Sequence, residues 1–212
     1  MPSRAEILRS LHGAFRLLLL DRRGIAAFEG TPRAALRSFW VVAITLPLFL
    51  ASNAIPLARP GAQGLPRDLV ANLADYALSW LLPLVVIYAL VLWYGRAERY
   101  WLLLSALNWS QVPQALASLA MTALFLGAGI LVDPEAAQAA MTVPAAIGHL
   151  MALVGMLLFV GLILYEWYVA WVALEAGVAL PIAAVLLDIV IGYGVGYGID
   201  HLMLLLKTGH WA

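Results

Sequence analysis

The sequence predicts an all-α polytopic integral membrane protein, a bundle of five transmembrane helices with an N-terminal amphipathic interfacial helix. Three observations carry that expectation. Of 212 residues 64% are hydrophobic and only 11% charged, with a mean hydropathy of +0.93, against roughly 25% charged residues in ordinary soluble domains. The apolar residues gather into runs near the ~20 that a helix needs to cross a bilayer. The charges are sorted, with seven arginines ahead of the first long apolar run.

Residues 1–38 read as a cytoplasmic amphipathic segment and not as a cleavable signal peptide, because so many arginines precede the apolar run. Ile7, Leu8, Leu11, Phe15, Leu18 and Leu19 recur at helical spacing, while Glu6, Arg9, Gly13 and Arg16 share the other side. This pattern fits a helix at headgroup level with arginines available to anionic lipid. Packing under the bundle and binding a partner both stay open as its purpose. DRRG then breaks the helix, and Thr31-Pro32 reads as an N-cap followed by proline at the first helical position.

Residues 39–212 form the transmembrane domain, with spans at about 39–57, 69–94, 100–132, 143–172 and 180–206. ARPGAQGLPRD is a turn-rich connector and GRAER a tight charged one. Asp133-Pro134 starts a short interfacial helix, Gly177 turns the chain between the last two spans, and Pro181 opens the fifth. Arg96 and Arg99 join the seven N-terminal arginines on one side, against Arg59, Arg67 and Lys207 on the other. The positive-inside rule then sets the N-terminus in the cytoplasm and the C-terminus outside. Aromatic anchors from Phe39 and Trp40 to Trp167, Tyr168 and Trp171 fall at the same cytoplasmic boundary. Basic residues are almost all Arg, a bias that points to a bacterial inner membrane.

Polar groups inside apolar runs are the candidate sites, because they are costly in hydrocarbon. Counting helical rise from the cytoplasmic boundary brings Asn108, Gln111, Glu166 and Asp188 to similar depth as an intramembrane polar layer. Glu166 has a second reading, pairing with Arg96 or Arg99. Asp75, His149, Asp200 and His201 form an outer-side cluster without metal-binding spacing, so no metal is expected. Pro113 removes a helix hydrogen bond and crowds the Trp109 carbonyl, so a kink or break is expected in the third span, for packing or for a ligand. Gly192, Gly194, Gly196 and Gly198 make overlapping small-xxx-small patterns, a helix-packing face within the protomer or at a protein interface. VGYGID echoes a potassium filter but lies in a long apolar helix with no pore helix before it.

Cysteine is absent, and no nucleophile elbow, phosphate loop or paired catalytic carboxylates appear, so neither enzyme activity nor a cofactor is expected. Zero net charge gives no basic surface for nucleic acid. The tail AFRLLLLDRRGIAAFEGTPRAALRSFW, five spans, NWSQVPQ opening the third, YEWYVAWVALEAGV closing the fourth and a Gly-rich, Asp-bearing fifth make a layout. In that layout the chain resembles the bacterial branch of the Yip family of Rab-GTPase-interacting membrane proteins. The DLxGP-type motif and long cytosolic domain of eukaryotic members are missing, so GTPase binding is not carried over. The resemblance implies a non-enzymatic scaffold or membrane-organising factor, partnered by the lipid bilayer and by other membrane proteins or a second copy. Two alternatives stand beside it: a small-solute or ion transporter or channel using the polar layer, and an accessory subunit of a larger membrane complex.

Overall fold

The computed structural model describes residues 1–57, 65–127 and 145–208. Among them every regular element is helical: α1 (Arg4–Leu18), α2 (Pro32–Ser38), α3 (Val42–Leu57), α4 (Leu65–Trp93), α5 (Tyr100–Gly127), α6 (Ala145–Leu174) and α7 (Ala179–Thr208). Short 3-10 turns cover Arg22–Ala27, Phe39–Val41 and Ala97–Arg99. The expected interfacial helix at Asp133-Pro134 lies outside the described residues.

Four stretches are long and apolar enough to cross a bilayer: Pro32–Ser52, Leu69–Trp93, His149–Leu174 and Ala179–Leu206. The first starts earlier than expected. Thr31 Oγ1 accepts the Ala34 N–H at 3.2 Å, with proline next in the chain, and the Phe39–Val41 turn relays α2 into α3. The division drawn after residue 38 therefore falls inside one apolar stretch.

α5, the remaining expected span, is the central helix. It packs against α1, α2, α3 and α6, and residues 103–110 are all buried. Its first half is enclosed by protein and needs no lipid-compatible face, which lets α5 carry Ser105, Asn108, Ser110, Gln111 and Gln114 there, whereas Leu116 and Leu124 further on are exposed. Pro113 is buried within it, yet the helix runs unbroken from Tyr100 to Gly127. The expected break does not form, because packed neighbours hold the turn around a proline that would open an isolated helix. Around α5 the ring is completed by α7, which packs on α4 and α6. α3 meets α4 where the Thr45 and Tyr76 hydroxyls lie 2.7 Å apart and the Phe49 and Tyr76 rings 4.7 Å apart.

The arginine-rich end is a folded layer. Ser3 Oγ accepts the Glu6 N–H at 3.1 Å to start α1, which buries Ser10, Gly13, Ala14 and Leu17. A Cβ on Gly13 would lie 2.5 Å from the Ala27 Cβ, and one on Gly24 2.5 Å from the Gly13 carbonyl. Only glycine permits α1 and the Arg22–Ala27 turn to approach so closely. Tyr165 donates to the Ala14 carbonyl at 3.0 Å and Tyr168 to the Leu20 carbonyl at 2.6 Å, tying this layer to α6. The residues read as the apolar face divide: Ile7 and Leu11 pack against the core, while Leu8, Phe15, Leu18 and Leu19 stay outside, Leu8 68% and Leu19 80% exposed.

Ion pairs occupy part of the basic set. Arg9 pairs with Glu29 at 2.8 Å, Arg37 with Glu6 at 2.9 Å, and Arg16 Nε reaches Asp21 at 2.8 Å. Arg4, Arg22, Arg23 and Arg33 are exposed and make no ion pair among the described residues. Three reversals at this end use positive φ: Leu20 (58°), Gly95 (70°) and Glu175 (45°). Glu175, not Gly177, turns the chain between α6 and α7, and its carboxylate pairs with Arg99. Pro181 falls in the first turn of α7, where backbone N–H groups have no helical partner to lose.

Candidate functional site: a polar cavity inside the bundle

Asn108 is fully buried at the centre of α5, where an unsatisfied amide would be costly. Its Nδ2 donates to Ser38 Oγ at 2.7 Å, and its Oδ1 accepts the Trp80 indole N–H at 3.2 Å. Ser38 Oγ in turn donates to the Ala35 carbonyl at 2.6 Å. One side chain thus joins α2, α4 and α5. Asp188 makes no hydrogen bond to Asn108 or Gln111 among the described residues; Asn108 spends its amide on Ser38 and Trp80.

Beside this junction is a cavity of about 260 Å³ lined from five helices. Gln111 and Gln114 reach it from α5, Glu166 from α6, Asp188 and Gly192 from α7. α4 contributes Asp75, Tyr76, Ser79 and Trp80, and α3 contributes Phe49. All four residues of the sequence-derived layer line this one space. Glu166 lies two turns before the end of α6 and Asp188 about as far past the start of α7, roughly 12–14 Å from those ends at ~1.5 Å per residue. Neither carboxylate has a hydrogen bond or ion pair among the described residues. Glu166 does not pair with arginine: Arg99 is held by Glu175.

The outer-side group separates. Asp75 belongs to the cavity and accepts a hydrogen bond from Ser79 Oγ at 3.2 Å. His149, Asp200 and His201 are exposed, and His201 stacks on Tyr197 with ring centroids 6.2 Å apart. No group of three or more His, Asp or Glu among the described residues is arranged to hold a metal ion.

The glycines of α7 also divide. A Cβ at Gly196 would meet Asp75 Oδ1 at 3.7 Å, ordinary contact, while at Gly192, Gly194 and Gly198 it would meet nothing within 4 Å. Close approach along the stripe is therefore not made within the protomer. Gly192 keeps space open in the cavity. Gly194 and Gly198 are exposed, as are Tyr193 and Tyr197. Residues 195–200 are helical, with no filter-like extended backbone.

Sequence reasoning missed Gln114, Ser79 and the aromatic residues of α3 and α4. A signal existed: Asn108, Gln111 and Gln114 are spaced by three, and Asp75 and Ser79 by four, which puts each set on one helix face.

Four long apolar helices and a buried polar interior are the features of a multi-pass helical membrane protein. Comparison with known proteins finds no matching protein family, no matching curated protein and no matching solved structure. The site is accordingly read from its own chemistry.

Proposed function

We propose that the chain is a five-span, non-enzymatic membrane protein with a cytoplasmic N-terminus that binds a small polar solute inside the membrane, as a transporter or channel does. One observation carries this reading. Gln111, Gln114, Glu166 and Asp188 line a common cavity and make no side-chain hydrogen bond or ion pair among the described residues, whereas polar groups kept at membrane depth only for packing pair with each other or with the backbone. α5 serves as the fifth span: its 28 residues reach about 42 Å, and its polar residues lie in the half that protein encloses. Solute flux into proteoliposomes, with solute-dependent melting in detergent, tests the reading. Flux and a melting shift, both lost in Asp188→Asn, are expected; a panel of small solutes giving neither would end it.

A second reading, the scaffold or membrane-organising factor suggested by the Yip-like layout, is favoured by the outer surface of the N-terminal layer. Leu8, Leu19 and Leu36 are exposed there beside the unpaired Arg22, Arg23 and Arg33, a combination suited to an anionic leaflet or a membrane partner. That reading predicts a stoichiometric membrane protein retained through gentle-detergent purification and lost when residues 1–20 are removed.

A further inference from the structure

The cavity has two chemistries in its lining. Asp75, Glu166 and Asp188 are acidic, and among the described residues no Lys, Arg or His lines the space to balance them. Glu166 is half-buried and lines the cavity, and its carboxylate has no hydrogen-bond or ion-pair partner among the described residues. The remaining wall is aromatic. Phe49, Tyr76 and Trp80 all contribute, with ring centroids 4.7 Å apart for Phe49 and Tyr76 and 5.9 Å for Tyr76 and Trp80.

Carboxylates at membrane depth call for a positive counter-charge, and aromatic faces attract cations most strongly where water is excluded. A bare transition-metal ion is poorly matched, since no group of three or more His, Cys, Asp or Glu side chains is arranged to hold one among the described residues. A larger cation reaches carboxylates and rings together. The volume, about 260 Å³, is just under the ~300–1,000 Å³ of sites for drug-sized ligands, which limits the occupant to a few heavy atoms.

We infer that the cavity is a binding site for a small organic ammonium ion, with Glu166 and Asp188 supplying the charge and Phe49, Tyr76 and Trp80 the aromatic surface. This rests on the solute-binding reading above and names its substrate class. Gln111 and Gln114 add neutral hydrogen-bonding capacity, suited to a hydroxyl or amide on the same molecule.

The test uses the full chain in nanodiscs, titrated with choline and, separately, with 3,3-dimethyl-1-butanol, its uncharged isostere, at constant ionic strength. Calorimetry is expected to show saturable choline binding at least tenfold tighter than the isostere. Glu166→Gln and Asp188→Asn should each weaken choline at least tenfold, and Phe49→Leu several-fold. Equal affinity for choline and isostere would overturn the ammonium assignment while leaving a neutral-solute site. Sodium, potassium or magnesium binding in place of choline would overturn it in favour of an inorganic ion. If no cationic, neutral or anionic solute binds, the solute-binding reading falls as well. The wild-type comparison decides the case even if a carboxylate variant fails to fold.

Discussion

Replacing Asn108 with leucine keeps the side chain close in size and removes its amide, so the loss falls on two interhelical hydrogen bonds, one to Ser38 and one from Trp80. Measured interhelical bonds in membranes average ~0.6 kcal/mol and reach ~1.7, which puts the pair at about 1.2 to 3.4 kcal/mol. The upper half is expected, because Asn108 is fully buried and the Trp80 N–H would be left with no partner. Ser38 is less affected, since its hydroxyl still donates to Ala35. Equilibrium unfolding in mixed micelles, with Asn108→Leu, Ser38→Ala and the double variant, gives both total cost and coupling. The coupling should be about 0.6 kcal/mol or more. A single-variant cost below ~0.5 kcal/mol with no coupling would show that apolar packing alone joins α2, α4 and α5.

Other outcomes follow from contacts at particular residues. Gly13→Ala forces a methyl to 2.5 Å from Ala27 Cβ and 2.8 Å from the Gly24 carbonyl; overpacking of this kind costs ~1–3 kcal/mol, and hydrogen exchange over residues 4–28 should accelerate while α7 is unchanged. Gly194→Leu adds a side chain in open space, so the protomer should melt normally; a shift from a larger to a smaller species on size exclusion would identify an interface between copies, and no shift would exclude one at this face. The hydrogen bond from Arg16 holds the Asp21 carboxyl below the usual aspartate range. Its stabilising effect is complete above the unfolded value of ~3.9 and fades as pH falls through the lowered native value. Opening of the N-terminal layer below about pH 4 should therefore weaken in Asp21→Asn, and an NMR titration placing Asp21 at its ordinary value would refute this. Reporter fusions should put residue 1 and the Gly95–Tyr100 loop in the cytoplasm and residue 212 outside; both termini on one side would remove the five-span reading.

The helices were legible in the sequence because apolar run length and terminal signals act locally. Thr31-Pro32 marks a helix start that the structure realises in detail, and Tyr100 opens α5 where expected. Depth counting also brought Asn108, Gln111, Glu166 and Asp188 to a common level without coordinates, since rise per residue is fixed. Rotation about each helix axis was less legible, because it is set by neighbours. The Asp75 side chain turns inward and His149 outward for reasons that lie in the packing of α4 and α6. Partner choice was hidden for the same reason: Arg99 selects Glu175 over Glu166 because a left-handed turn at Glu175 brings its carboxylate to the α4–α5 loop. The N-terminal face was legible in Ile7 and Leu11, which pack on the core, and hidden where small residues carry the contact. Ser10, Gly13 and Ala14 look unremarkable by hydropathy, yet they form the side of α1 that packs.

The tyrosine bonds from α6 to the N-terminal layer have a consequence for the order of events during synthesis. Tyr165 and Tyr168 reach carbonyls 151 and 148 residues earlier in the chain. At ~5–20 residues per second, these anchors emerge roughly 7 to 30 seconds after the segment they hold. Through that interval α1 has the Arg22–Ala27 turn and then α5 to pack on, but its C-terminal end at Ala14 and Leu20 is without the two hydroxyls that finally hold it. The chain's earliest helix thus receives its last two bonds only when the fourth long apolar segment has been made.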